Sequence, residues 1–362
     1  MHNAAGALLL LLPLLPCGAQ TTAEWRLSGY ALNLFTRSET LFPERERFVL
    51  DLSRLRLRID GRLAEYVAVD VQYDNELLLG SYLNTQLFAV VNTRGADATF
   101  DLERTYAEGQ SVLVRHRLYR GTVAISSGGV DVILGRQRIA WGTGRFWSPL
   151  DILNPFDATR VERDERSGVD AALLERRLGA LGKVNVVYAP NTRRSRAAAA
   201  GYLHGNARGT DYSIIVGSFR GDRVVGVDFA TRAGGLGVRG EATGTRAESG
   251  GSRRFLRALL GADYGFRNTL TLTVELYYNG QGASAKSDYD LAALLDGRVQ
   301  SLASRYAAAA ASYEVTPLLK LLAYGVVNID DLSIVVWPGF EYSVSSNLTL
   351  GGGIQHFTGG DS

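Results

Sequence analysis

Residues 135–165, GRQRIAWGTGRFWSPLDILNPFDATRVERDE, gather the side chains of this sequence best suited to steering a solute. Arg136, Arg138 and Arg145 are cationic, Asp151 and Asp157 are anionic, and Gln137 and Asn154 are neutral hydrogen-bonding groups. Trp141 and Trp147 are rigid fillers, while Pro149 and Pro155 restrict the path of the chain. A second concentration is Arg54, Arg56 and Arg58, which alternate with Leu55, Leu57 and Ile59. Fixed charges beside a narrow water path decide which solutes pass. The arginine row also has a plainer reading, in which its guanidiniums pair with acids on neighbouring strands such as Asp70 and Asp74.

Other chemistries find less support. Gly142-Thr143-Gly144-Arg145 resembles a phosphate loop, but it lacks the lysine-serine end and the following helix. His2, His116, His204 and His356 are scattered, without the spacing of metal ligands. No Gly-x-Ser-x-Gly elbow occurs, and a serine hydrolase would need the fold to bring His116 or His204 to a serine. Arg220-Gly221-Asp222 reads as a tight turn. No metal and no cofactor are expected.

The elements that position these groups follow from the pattern of the whole chain. It has 362 residues and a net charge of +2, with 39 basic residues of which only Lys183, Lys286 and Lys320 are lysines. The basic residues are interleaved with acids and form no stripe, so no nucleic-acid partner is expected. Ala7–Leu15 is an apolar run of signal-peptide length, and Cys17-Gly18-Ala19 offers small residues for cleavage after residue 19. We therefore expect residues 1–19 to be an export signal and 20–362 the mature protein. Cys17 is the sole cysteine, so the mature chain has no disulfide or thiolate site.

No run of eighteen apolar residues occurs in the mature chain, so it has no membrane-spanning helix. Period-two alternation dominates instead. In Thr269–Asn279, Leu270, Leu272, Val274, Leu276 and Tyr278 share one face, opposite Thr271, Thr273, Glu275 and Tyr277. Val67, Val69 and Val71 oppose Asp70 and Gln72, and Val225, Val227 and Phe229 oppose Asp228. Leu50 and Leu52 have the parity of the arginines, which predicts a bulge near Ser53. An apolar face can turn inward in a soluble sandwich or outward to lipid in a barrel. Tight connections at Asp60-Gly61, Ser127-Gly128, Arg267-Asn268 and Thr316-Pro317 alternate with long ones at 75–113, 140–167 and 280–302. That rhythm favours a transmembrane, antiparallel, up-and-down β-barrel of about 16–18 strands. Seventeen strands are countable, and barrels close with an even number, so the sequence reads as truncated before a last strand. Residues 288–302 have helical spacing, whereas the alanine-rich stretches near 197–200 and 307–311 read as small-residue strands.

The blocks GRQRIAWGTGRFW, LDILNPFD, LLGADYGF, VELYYNGQG, ASYEVTPLL and FTGGDS resemble a family of largely uncharacterised bacterial outer-membrane porin-like barrels. The Gly-Arg-Gln element is also faintly similar to alginate-export-type porins. The resemblance covers the chain from about residue 26 onward and implies fold and location, without a substrate. It also implies insertion by the barrel-assembly machinery and contact with the outer-membrane bilayer.

In the barrel reading, the charged stretch at 140–167 cannot face lipid and folds into the lumen. There it either narrows a pore for small polar solutes or acts as a strut that fills the barrel. The corresponding functions are a diffusion channel, a plugged scaffold presenting loops 75–113 and 280–302 to a partner, or, with least support, an outer-membrane hydrolase.

Overall fold

Strands with one apolar face need two different environments, and the computed structural model supplies them. Leu272, Val274, Leu276 and Tyr278 lie exposed on the outside of a curved sheet, while Glu275 and Tyr277 between them are buried inside. Leu55, Leu57 and Ile59 are likewise exposed outside, and Arg54 and Arg56 are buried. This is the inverse of a soluble core and the pattern of a wall in lipid. Among the described residues no helix is long and apolar enough to cross a membrane. The structure describes residues 24–40, 44–93, 99–153, 168–191, 196–248, 253–295, 299 and 301–359. The expected export signal at 1–19 lies outside them.

The wall is one antiparallel sheet of nineteen strands. Its first part comprises β1 (Trp25–Glu39), β2 (Arg47–Ala64), β3 (Val67–Leu79), β4 (Glu103–Gly109), β5 (Val112–Ser127), β6 (Val130–Gln137), β7 (Val169–Leu178), β8 (Gly182–Ala189) and β9 (Ala198–Ala207). It continues with β10 (Thr210–Phe219), β11 (Asp222–Ala233), β12 (Leu236–Arg246), β13 (Arg254–Gly265), β14 (Thr271–Asn279), β15 (Arg305–Glu314), β16 (Leu319–Asn328), β17 (Ile334–Ser345), β18 (Leu348–Gly353) and β19 (His356–Thr358). β4 pairs with the start of β5, beside the stretch where β6 pairs with the rest of it, and so replaces the upper part of β6. β18 and β19 both pair with β17 and form one interrupted strand. Without β4, and with β18–β19 taken as one, seventeen wall strands remain, within the expected range. Both alanine-rich stretches are strands, in β9 and β15. Among the described residues no ladder joins β1 to β18 or β19.

Two expectations change. The first tight turn falls at Glu65-Tyr66, not Asp60-Gly61, because β2 and β3 stay in register out to Arg62↔Ala68. No bulge occurs at Ser53 either: the β1–β2 register is continuous from Trp25↔Gly61 to Glu39↔Arg47. Leu50 and Leu52 instead face inward with Arg54, and they are buried there. A short helix, α1 (Gln86–Thr93), and the turn before it supply the apolar cover, with Tyr82, Leu83, Leu87 and Phe88 packed against Phe48, Leu50, Leu52, Leu78 and Leu113. The connection after β3 is therefore folded onto the inner wall in this region. The helix expected in 288–302 is the five-residue α2 (Leu291–Leu295).

An inward-outward swap tests this geometry. Val227 is outward and exposed near the middle of β11. Val227→Arg should destabilise the barrel by about 2–4 kcal/mol in lipid, the cost of a midplane cation on the lipid face. Urea unfolding from vesicles measures it, and an unchanged midpoint would contradict an outward Val227.

Candidate pore lining and constriction

The segment following β6 runs along the inner wall. Ile139, Trp141 and Leu150 pack with Val187, Ala198, Ala200, Tyr202, Ile215 and Phe219, side chains of β8, β9 and β10. Trp141 stacks on Tyr202, with ring centroids 5.1 Å apart and planes 4° apart. Farther on, Trp147 stacks on Tyr277 of β14 at 5.2 Å and tilts against Tyr306 of β15, and Phe146 meets Tyr324 of β16 edge-on. Leu150 then returns to the first cluster. The segment thus reaches from β6 to β16 and doubles back. The small inner side chains of β9 (Ala198 and Ala200) and of β15 (Ala308) leave room for its tryptophans.

What fastens it is a pair of wall carboxylates. Glu241 of β12 accepts from the backbone N–H groups of Thr143, Gly144 (2.6 Å) and Leu150 (3.1 Å), and from the hydroxyl of Ser148 (2.9 Å). Glu275 of β14 accepts from the N–H groups of Arg145 (2.7 Å) and Phe146 (2.9 Å). Its Oε1 also accepts from Nε and Nη2 of Arg239 at 3.0 and 2.8 Å, and Arg239 pairs further with Asp263. Successive N–H groups converging on one anion form a nest, and charge-assisted bonds of this kind are worth about 1.5–3 kcal/mol each when buried. Gly142, at φ +95°, turns the chain into this arrangement. A Cβ there would strike Ser148 Oγ and the Glu241 carboxylate, and one at Gly144 would fall on the carbonyl oxygen of Trp147. The Gly-Thr-Gly-Arg stretch does cradle an anion, and that anion belongs to the protein itself.

A second polar array lines β2, β3 and β5. Arg54 donates to Glu76 at 2.8 Å, Arg56 to Asp74 at 2.5 and 2.8 Å, and Arg58 pairs with Asp70. Arg115 and Arg117 of β5 reach Glu76 at 2.8 and 3.0 Å. Arg56 also lies 3.5 Å from the ring centroid of Tyr119. Arg54, Arg56, Asp74 and Glu76 are almost fully buried, whereas the Arg58 side chain is 42 % exposed.

No protein-family model matches this sequence, and no curated protein does. Solved structures match the fold over nearly the whole chain. OccK9 (OpdG) of Pseudomonas aeruginosa is 13% identical, with 94% of this chain and 95% of that one covered and a TM-score of 0.57. OccAB1 of Acinetobacter baumannii is 12% identical, with 94% and 91% covered and a TM-score of 0.59. Wzi of Escherichia coli, an outer-membrane protein involved in group 1 capsule assembly and a carbohydrate-binding barrel, is 12% identical, with 94% and 81% covered and a TM-score of 0.57. The fold is that of outer-membrane β-barrels.

Within this barrel the candidate residues take distinct places. Arg136 is buried and spans to Asp170 of β7, with Nε on Oδ1 at 2.9 Å and Nη2 on Oδ2 at 3.0 Å. Its other donors reach the carbonyls of Leu118 and Phe100. Gln137 is also buried and donates to the carbonyls of Ile133 and Ala171. Trp141, Trp147 and Asp151 are buried within the inward segment. Arg138 and Arg145 have exposed side chains, and among the described residues neither forms an ion pair. The backbone of Arg145 is held on Glu275 and its neighbours Phe146 and Trp147 pack against the wall, while its own side chain is exposed. Asn154 and Asp157 lie outside the described residues, as does the rest of 154–167.

Sequence reasoning missed Glu241 and Glu275 as anchors. Their signal was present as buried-parity acids within alternating strands, but nothing local says which loop they hold. His204 Nδ1 does lie 3.1 Å from Ser213 Oγ, which also meets the Tyr202 hydroxyl. Ser213 is only 2 % exposed, so this pair has the character of an internal wall network and not of an accessible nucleophile. His116 stacks on Tyr106 and touches Tyr73.

If the two carboxylates hold the segment, a Glu241→Gln/Glu275→Gln double variant should release it. Single-channel recordings should then show a larger mean conductance and more open-state noise, with the heat-sensitive gel mobility of the folded barrel retained. Gly144→Ala should act in the same direction, since its Cβ has no place beside Trp147. Wild-type conductance and noise in both variants would argue that the segment is held by its tryptophans alone.

Proposed function

We propose that this protein is an outer-membrane channel for passive diffusion of small polar solutes, narrowed by the inward segment after β6. The observation that carries this reading is the exposure of Arg145 on a segment whose backbone is held against the inner wall. A strut that only filled space would have no need to hold an exposed cation that has no carboxylate partner among the described residues. Arg138 adds further exposed cationic charge. Together they bias the path toward neutral and anionic solutes, because a fixed charge raises the local concentration of its counter-ion. The two buried arrays play a different part. The buried arginines Arg54, Arg56, Arg136 and Arg239 are paired with Glu76, Asp74, Asp170 and Glu275, and these pairs stiffen the wall.

This reading includes residues 1–19 as an export signal, insertion by the barrel-assembly machinery, and membership of the porin-like group that carries the Gly-Arg-Gln and Leu-Asn-Pro blocks. Fold likeness to porin-type barrels is consistent with the channel and leaves the solute to the side chains.

A second reading is a plugged scaffold, favoured by the apolar cover that α1 and Tyr82 place over the inner face of β2 and β3. Planar-bilayer recording separates the two. The channel reading expects discrete conducting steps from wild-type protein and larger steps after deletion of residues 140–160. A scaffold expects silence from the wild type.

Charge selectivity gives a sharper prediction. Arg145→Glu changes the charge at the narrowing by two units. It should lower the anion-to-cation permeability ratio about two- to tenfold at low salt, with the difference shrinking as salt screens it. The reversal potential in a KCl gradient reads this directly, and an unchanged potential would place Arg145 away from the ion path.

A further inference from the structure

The outer face of β10–β13 carries a feature that conduction does not use. At the long-loop end, Ser218, Arg223, Arg246 and Arg254 are successive register partners across four strands. All four are exposed on the outside of the barrel. Three arginines side by side on adjacent strands repel one another. Arg223 has a partner in Glu248 at 3.1 Å, with both side chains well exposed. Among the described residues Arg246 and Arg254 have no ion pair. A row of this kind gains most from an anion lying across it.

Directly below the row is a groove of about 770 Å³ whose outward-facing lining is Val216, Val225, Gly244 and Leu256 together with the three arginines. Val216, Val225, Gly244 and Leu256 are again register partners, one step nearer the membrane middle. The groove exists because β12 presents only Gly240, Ala242 and Gly244 outward between Val225, Val227 and Phe229 on one side and Leu256 and Leu260 on the other. The ring of Phe229 lies over Gly240 and closes its lower end. From Ala242 to Gly244, short of the Phe229 ring, the open furrow is about 7 Å long at roughly 3.3 Å per residue, enough for the first few methylenes of an acyl chain. The β10–β11 link above it is the tight turn Arg220-Gly221, the one short connection on the long-loop side. That low rim leaves the arginines level with the end of the apolar band.

We propose that this groove binds a phosphorylated, acylated lipid of the outer leaflet, with the start of one acyl chain over Ala242 and Gly244 and its phosphate on Arg223, Arg246 and Arg254. Charge complementarity selects the occupant. A zwitterionic lipid would leave the row uncompensated, and a phosphomonoester accepts bidentate guanidinium bonds. The inference rests on the outward face meeting lipid, and it does not depend on whether the lumen conducts.

The test uses full-length protein folded in detergent, with native mass spectrometry counting bound lipid. The probes are bisphosphorylated lipid A, the same lipid A after phosphatase treatment, and inorganic phosphate alone. Expected is retention of the phosphorylated lipid at least about tenfold above the dephosphorylated one. The triple variant Arg223→Gln/Arg246→Gln/Arg254→Gln should erase that preference. Gly244→Trp should fill the groove and reduce binding of both lipids, and it should leave folding intact because nothing lies within 4 Å of a Cβ placed there. Equal retention of the two lipids by wild type, an unaltered preference in the triple variant, or phosphate binding that no lipid displaces would each overturn the proposal. Conductance recorded on the same preparations separates its failure from failure of the channel reading. Loss of lipid preference with normal conducting steps refutes the lipid site alone.

Discussion

Each wall strand stands between two solvents, and the rest of the structure follows from that constraint. In hydrocarbon every backbone N–H and C=O needs a partner within the protein, so the chain crosses as a ladder of antiparallel strands. Each strand then turns alternate side chains to lipid and to water. Leu55, Leu57 and Ile59 on one side and Arg54, Arg56 and Arg58 on the other are a single segment obeying both conditions. The inner face can hold charge only if most of it is paired, because the loops pressed against it exclude water. Asp74, Glu76 and Asp170 meet that need for the buried guanidiniums.

The same requirement explains how the wall offers a carboxylate, Glu241, that has no side-chain cation among the described residues. Glu241 is buried, and the groups that satisfy it are backbone N–H donors and a serine hydroxyl from the inward segment. Wall and segment therefore complete each other. Without the segment Glu241 would be a charge awaiting water, and without Glu241 the turn at Gly142–Gly144 would leave converging N–H groups unpaired. Glu275 extends the arrangement by sharing its carboxylate between the segment and Arg239. The tryptophans set the spacing: Trp141 on Tyr202 and Trp147 on Tyr277 fix where the segment crosses the inner wall. Once those contacts are made, Arg145 is left as an exposed cation, and the conducting role proposed here turns on it.

Inner and outer faces also differ in how they use small residues. On β9 and β15, alanines facing inward make room for bulky loop side chains. On β12, Ala242 and Gly244 facing outward leave a furrow that Phe229 closes only at its Gly240 end. The first is ordinary packing complementarity within one molecule. The second is an absence of packing, and it gains meaning only from the arginine row above it.

The sequence by itself determined the strands, their alternation, the outward band and the existence of an interruption after Gln137. These are readable because a strand's two faces depend only on residue parity, and turns depend on a few neighbouring residues. By alternation it also put Arg54, Arg56 and Arg58 on the face that carries the acids, but the register that pairs them with Glu76, Asp74 and Asp70 follows from the turn at Glu65-Tyr66, which the sequence reading misplaced. It misled at Leu50 and Leu52, where parity was right and the apolar cover lay some thirty residues away on the turn at Tyr82 and on α1. Only the tertiary structure decided that Glu241 and Glu275 hold Thr143–Phe146, a contact between residues about a hundred or more positions apart. Such pairings depend on where a loop lands inside a curved wall. That position is set by the summed shape of many strands, and no local pattern of residues encodes it.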